Sequence, residues 1–393
     1  MYRFIPLFFV CAATASPALA QSQTPAQPVR VATFNIAMGF DRQGEMAEAL
    51  EAGGHPRLLQ VAETLQRVRP DIVLLNEFDY DPDVDAAALL MQNYLADGLN
   101  GQDGISYPWH FSATVNTGED SGLDLDGDGK TGGPGDAWGF GHFPGQYGML
   151  VLSRYPLLED RTRTFQQFPW SALPGARQPL NPDGSAFYPP ETWQQLRLSS
   201  KSHWDLVFNI DGQQLHLLAH HPTPPVFDGP ENRNGLRNYD ENRFWKTYYE
   251  AGSKDTPWLL DDTGRSGGIA QDARFVIAGD FNADPLDGDS VPGAMDQLLD
   301  AAWINNSCLP ASSGAAEASR LQGGLNEEHS GNPALDTSDF NDRYTGNLRL
   351  DYLLPSANLQ PVDCGVFWPA QGEPGHQLTG ASDHRLVWID LQL

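Results

Sequence analysis

Short apolar runs and amphipathic stretches alternate along the chain. "VRVATFNI" (29–36) alternates and is rich in β-branched residues, which predicts a strand. "HPRLLQVAETLQRVRP" (55–70) carries apolar residues at helical spacing and stops at Pro70, which predicts a helix. "DIVLLNEFD" (71–79) is a continuous apolar run, the pattern of a strand buried on both faces. "AAALLMQNYLADGL" (86–99) predicts another helix. Further strands are predicted at 148–153, 205–210, 215–220, 274–279, 349–354 and 385–391, and helices at 236–250 and 293–302. Gly-, Pro- and Asp-rich stretches fill 101–146, 169–200, 222–234 and 310–347. Connections of that length in a compact domain are functional rims or insertions. No repeat and no interdomain linker is visible, so residues 29–393 are expected to form a single domain, with helices packed over a mixed sheet core.

The start of the chain changes the setting. Residues 1–20 hold one arginine, an apolar run too short to span a bilayer comfortably, and a closing Ala-Leu-Ala. This predicts a signal peptide cleaved after Ala20 and a secreted or periplasmic protein, with residues 21–28 as a flexible leader. No other segment is apolar enough to cross a membrane. Cys11 would leave with the signal. Cys308 and Cys364 would remain in a compartment that permits disulfides, and spacing alone leaves their bridging open.

The formal charge is −27, and Lys130, Lys201, Lys246 and Lys254 are the four lysines. Nucleic-acid affinity comes largely from Lys and Arg neutralising phosphates, so this surface counts against tight nucleic-acid binding. A phosphate-bearing substrate then requires a metal to supply positive charge locally. A monomer is the working assumption.

Several apolar strands end on polar residues, which a strand buried on both faces should not carry unpaired. They are Asn35, Asn76 and Glu77, His220 and His221, Asp280 and Asn282, and Asp351, with Asp383 and His384 just before the last strand. Taken singly, each is a turn residue, a cap or a satisfied core group. Together they supply carboxylates, amides and imidazoles. Oxygen-rich ligands favour a hard cation, Mg2+ or Mn2+, over structural zinc. The histidines remain for acid–base or charge-stabilising work.

"TFNI", "PDIVLLNEFD", "YGMLVLSRYPL", "GDFNADP", "LDYLLP" and "SDHRLV" occur in the order that resembles the endonuclease/exonuclease/phosphatase (DNase I-like) superfamily, over roughly residues 29 to 393. The resemblance, to a bacterial secreted member, implies a four-layer α/β sandwich: two mixed β-sheets packed face to face with helices outside. It also implies phosphoester hydrolysis by metal-assisted in-line attack of water. Carried over by position, Asn35 and Glu77 would hold the metal, and Asp383 would support the metal or the water. Asp280 would align and deprotonate the water, with Asn282 beside it. His221 would donate to the phosphoryl oxygen, with His220 open as the alternative. His384 would face the phosphate, oriented by Asp351, and Tyr147 would face the substrate.

"DLDGDGKTGGPGD" sets Asp124, Asp126 and Asp128 on alternate positions before Gly129, as in a calcium loop, but position 12 is Gly135, with Asp136 following. No helix is predicted on either side. The insertion near 121–136 is therefore expected to be a structural calcium site or an acidic turn. Arg233, Arg237 and Arg243 are expected either on substrate or in local salt bridges. Phe165, Phe168 and Trp170 suit a buried anchor better than a membrane wedge. The expected function is a secreted divalent-metal-dependent phosphoesterase acting on a phosphodiester or phosphomonoester, with a secreted phosphate-scavenging nuclease as the alternative. Two further readings are a non-catalytic calcium-binding module on an inactivated hydrolase scaffold, and a zinc hydrolase using His216, His220 and His221.

Overall fold

The computed structural model describes Met1 and residues 27–393. The expected signal peptide and the leader up to residue 26 lie outside the described residues. Two large sheets form the frame. The first contains β1 (Val29–Asn35), β2 (Ile72–Asn76), β3 (Trp109–Phe111) and β4 (Met149–Ser153), and it is completed by the late strands β12 (Gln360–Phe367) and β13 (Leu386–Gln392). Its order is β12-β13-β1-β2-β4-β3. The second contains β5 (Arg163–Thr164), β6 (His203–Ile210), β7 (Gln213–His220), β8 (Phe275–Asp280) and β11 (Asp351–Pro355), in the order β11-β8-β7-β6-β5. A ribbon of β9 (Ser338–Asp339) and β10 (Asn347–Leu348) lies apart. Both sheets are mixed: β1 runs parallel to β2 and β7 parallel to β8, and the other pairs are antiparallel.

Residue parity sorts the core into layers, because neighbouring strand residues face opposite ways. Val29 and Val31 of β1 join Leu74, Leu215, Leu217, Ala278 and Ile389 in one apolar cluster between the sheets. Ala32 and Phe34 face the other way, against α1 (Glu45–Ala52), α2 (Pro56–Val68) and α3 (Ala86–Leu90). Leu218 and Ile277 pack outward under α5 (Arg233–Ala251) and α6 (Asp296–Leu299), through Phe244, Trp245, Tyr248 and Leu298. The result is helices, sheet, sheet, helices, the four-layer arrangement expected. Phe165, Phe168 and Trp170 are buried in the outer cluster. α4 (Pro190–Gln195) and α7 (Ser313–Gln322) lie in the long connections.

The structure corrects several boundaries. The helix expected at 86–99 is one short α-turn that continues as a wide π-type turn over Met91–Leu95. Gln66 Nε2 takes the Leu95 and Asp97 carbonyls, which ends the helix before Gly98. The helix expected at 293–302 keeps only Asp296–Leu299, since Gly293 has φ of 87° and Pro292 precedes it. The strand expected from 349 begins at Asp351, because the Arg349 N–H goes to Asp284 and the Leu350 N–H to Thr337. β12 escapes the apolar pattern because it is an edge strand with exposed residues and a bulge at Pro361/Asp363. Cys308 and Cys364 form a disulfide that ties the chain before α7 to this edge.

His203 of β6 is buried among Phe244, Trp245 and His220, and burial pushes its imidazole down to about 3. The folded form holds it neutral while the unfolded chain would take a proton below its ordinary value. Its contribution is present above pH ~6.5 and is lost as pH falls toward 3, at about 1.4 kcal/mol per pH unit. The melting temperature is therefore expected to fall between pH 6.5 and 4, and less steeply in His203→Gln. Equal slopes for both proteins would contradict this.

Candidate active site

The polar strand ends gather where both sheets present neighbouring ends. Asn35 and Asn76 pair across β1 and β2, and Asp280 and Asp351 pair across β8 and β11. Buried Asn76 joins the two sheets: its Oδ1 accepts the Asp280 N–H at 3.1 Å and its Nδ2 donates to the His220 carbonyl at 3.3 Å. The Asn35 amide donates to Asp280 Oδ2 at 3.0 Å and to Glu77 Oε1 at 3.2 Å. Asp280 Oδ1 accepts the Asn282 N–H at 2.8 Å, so one carboxylate ties the end of β1 to the turn that follows β8.

Two imidazoles face Asp280 Oδ2, His221 Nε2 at 3.4 Å and His384 Nε2 at 3.7 Å. His384 Nδ1 lies 2.8 Å from Asp351 Oδ2, which also accepts the Thr337 hydroxyl at 2.8 Å. Burial alone would lower the His384 imidazole, but the Asp351 and Asp280 carboxylates outweigh it and push it up to about 10. Burial lifts Asp351 to about 6 against the pull of His384. The shared proton therefore rests on His384 at neutral pH. Burial would raise Asp280, yet His384 and His221 hold it well below the usual carboxylate range. Burial and then Lys201 push His221 down, so it is neutral. Asp280 thus sits between one charged and one neutral imidazole.

The residues expected from the sequence separate here. Asn35, Glu77, His221, Asp280, Asp351 and His384 come together. His220 does not: it is fully buried, its ring nitrogens lack hydrogen-bond partners among the described residues, and it packs on Phe281 at 4.3 Å and His203 at 5.3 Å. Asn282 is beside Asp280 through its backbone, but its side-chain amide is taken by the Pro222 carbonyl at 3.1 Å. The Asp383 side chain is exposed, and it accepts the Ser382 hydroxyl at 3.5 Å. Tyr147 is half-buried against Gly39, with its backbone N–H on Asp79. Ala37, Glu77, Tyr147 and Asn282 all have positive φ, a strained conformation for residues with side chains, and all flank this site. His216 lies four residues before His220 along β7, roughly 13 Å away, so the three histidines form no zinc site.

Arg233, Arg237 and Arg243 are engaged elsewhere. Arg233 pairs with Glu231, Arg243 pairs with Asp240, and Arg237 donates to four carbonyls, including Leu198 and Trp138.

Sequence reasoning missed three residues. Thr337 orients Asp351, and nothing in "LDTSDF" marks it. Asp79 clamps the loops through the Phe40 and Tyr147 N–H groups, and burial raises its carboxyl to about 7. The Lys201 side chain is buried near His221 and forms no ion pair among the described residues. Burial lowers its ammonium, and Glu241, Glu77 and Asp280 act against that. Its rarity among basic residues was the available signal.

Oxygen donors from Asn35, Glu77 and Asp280 suit a hard divalent cation. Glu77 is partly exposed and forms no ion pair among the described residues, so its charge is left for one. Asp280, Asp351 and His384 also lie within 4.8 Å of one another, but a protonated imidazole donates rather than ligates. In the insertion, ligand atoms of Asp124, Asp126 and Asp128 also fall within 4.8 Å. Asp124 accepts the Gly127 and Gly129 N–H groups. A Cβ at Gly135 would lie 2.4 Å from Asp126 Oδ2, so glycine at this position leaves room for that carboxylate. Asp136 is buried on the Leu125 and Gly133 N–H groups and does not replace the missing position-12 glutamate.

The sequence model described as Endonuclease/Exonuclease/phosphatase family matches residues 32–384. An endonuclease/exonuclease/phosphatase from Beutenbergia cavernae DSM 12333 is similar in structure, with 18% identity and a TM-score of 0.51, over 94% of this chain and 72% of that one. Sphingomyelinase C from Streptomyces griseocarneus (16% identity, TM-score 0.47) is matched over 93% of this chain and 99% of that chain. D. rerio TDP2 complexed with single-strand DNA product (14%, 0.45) has the same coverages. The first likeness is one of fold. Among curated proteins nothing matches.

Asn76→Ala leaves the Asp280 N–H and the His220 carbonyl unpaired in the interior. It is expected to cost about 1–3 kcal/mol of unfolding free energy in a denaturant titration. An unchanged midpoint would contradict the clasp between the sheets.

Proposed function

The chain belongs to the Endonuclease/Exonuclease/phosphatase family, whose members hydrolyse phosphoesters with divalent metals, and on that premise we propose that it is an exported divalent-metal-dependent phosphoesterase. The observation that carries this is Asp280, held ionised between His221 and the Asp351-oriented His384. Glu77 and Asn35 would hold Mg2+ or Mn2+, which when bound neutralises phosphoryl charge and orients the group.

The residues of the chain supply the rest. Asp280 aligns the attacking water and accepts its proton, its orientation fixed by the Asn282 N–H and the Asn35 amide. A phosphoryl group entering the site competes for both imidazoles. Their withdrawal from Asp280 makes that carboxylate more basic when the water must lose its proton. His384 donates from Nε2 as a cation, and Asp351 fixes its orientation through Nδ1. His221 donates as a neutral imidazole, with Lys201 buried behind it.

The formal charge of −27 disfavours a long polyanion, so a compact phosphodiester or phosphomonoester is the proposed substrate rather than duplex nucleic acid. Export rests on the predicted signal peptide. Calcium on Asp124, Asp126 and Asp128 is proposed as a structural ion that stiffens the insertion.

Asp280→Asn keeps the shape and removes the proton acceptor. It is expected to lower turnover of an aryl phosphoester about 100-fold or more at near wild-type stability, and EDTA to abolish wild-type turnover. Wild-type rates in the variant, or in EDTA, would overturn the mechanism. For the insertion, calcium is expected to raise the melting temperature of the wild type but not of Asp126→Ala. A wild-type melting temperature indifferent to calcium would remove the structural ion.

A further inference from the structure

A cavity of about 730 Å3 lies on the outer face of the second sheet, at the start of β7 and β8. Asp280 closes the far end of β8, so Arg274 at this end is roughly 20 Å from it along the strand. The cavity wall carries a chain of polar groups that the proposed hydrolysis does not use. Arg163 Nη1 donates to the Tyr248 hydroxyl at 3.2 Å, and that hydroxyl donates to Asp205 Oδ2 at 2.6 Å. Asp205 Oδ1 meets His216 Nδ1 at 2.6 Å, which leaves Nε2 as the ring's remaining polar atom. Arg163 is itself saturated by Asp261 and by the Gly267 and Arg265 carbonyls.

Three further arginines line the cavity; Arg265 is engaged by Asp261 and the Asp160 and Thr162 carbonyls, and the other two have donors to spare. Arg161 is held at one nitrogen by Gln214 at 2.9 Å, and Arg274 at one nitrogen by Gln213. Each glutamine fixes a guanidinium while leaving the rest of its fork open. Of the two carboxylates on the lining, Asp205 is consumed by His216 and Tyr248, and Asp272 is exposed. Preorganised guanidinium forks suit tetrahedral oxyanions, because they offer several directed donors at fixed spacing, and His216 Nε2 can accept the hydrogen of a monoprotonated phosphate. On a chain of net charge −27, such a cluster would focus the local potential onto a small anion.

We propose that this cavity is a second, non-catalytic site that binds a small phosphate-bearing anion through Arg161, Arg274 and His216. The test is isothermal titration calorimetry on the full chain in EDTA, with inorganic phosphate and separately with glycerol phosphate. Wild type is expected to bind with a stoichiometry of one. Tighter binding of glycerol phosphate would assign a phosphomonoester ligand, and equal or weaker binding would assign free phosphate. The Arg161→Gln/Arg274→Gln double variant is expected to bind about tenfold or more weakly, while its phosphoester turnover stays within about twofold of wild type. His216→Asn should weaken binding in the same direction. No heat with either anion, or undiminished binding in the double variant and in His216→Asn, would overturn the proposal. Neither outcome bears on hydrolysis at Asp280, which is read separately.

Discussion

The whole site hangs on one buried amide. Asn76 closes β2 in the first sheet, and its two hydrogen bonds reach the Asp280 N–H and the His220 carbonyl of the second. Two sheets packed through apolar side chains can slide, because dispersion and burial are not directional. A hydrogen bond between buried groups is directional and costly to break. It sets Asp280 against Asn35 and Glu77 from one sheet, and β11 then sets Asp351 beside Asp280 through register alone. The Ser382 hydroxyl ties the segment before β13 to the Asn35 carbonyl at 2.8 Å and accepts the His384 N–H at 3.0 Å. That contact brings His384 to the same place.

The electrostatics follow from scarcity. A strongly acidic chain has few cations, and two basic side chains, His384 and Lys201, are buried at this site. His384 is kept charged by two carboxylates, and Lys201 is buried without an ion pair among the described residues. Burying a charge without an ion pair is expensive, which is why such groups concentrate where a ligand will neutralise them. On the far side of the second sheet, Arg163, Tyr248, Asp205 and His216 form a second ordered hydrogen-bonded chain.

Much of this was legible before any coordinates. Apolar runs located the inner strands because each is buried on both faces, and polar residues ending them marked Asn35, Glu77, Asp280 and Asp351. Edge strand β12 was hidden because exposure removes its apolar signature. The helix over Ala86 was overextended because local periodicity cannot foresee Gln66 capping its carbonyls from another helix. His220 and His221 were indistinguishable by spacing. The strand's alternation decides between them, turning one into the aromatic cluster while the next residue leaves the strand toward Asp280. Thr337, Asp79 and Lys201 act through contacts that exist only once distant loops meet.

The central claim is that Asp280 lies between a charged and a neutral imidazole. Heteronuclear NMR of the ring nitrogens in the metal-free chain, assigned with His384→Gln and His221→Gln, tests it directly. At pH 7.5 His384 should show two protonated nitrogens and titrate only near pH 10, while His221 stays neutral through the same range. A neutral His384 at pH 7.5, or a charged His221, would contradict the account.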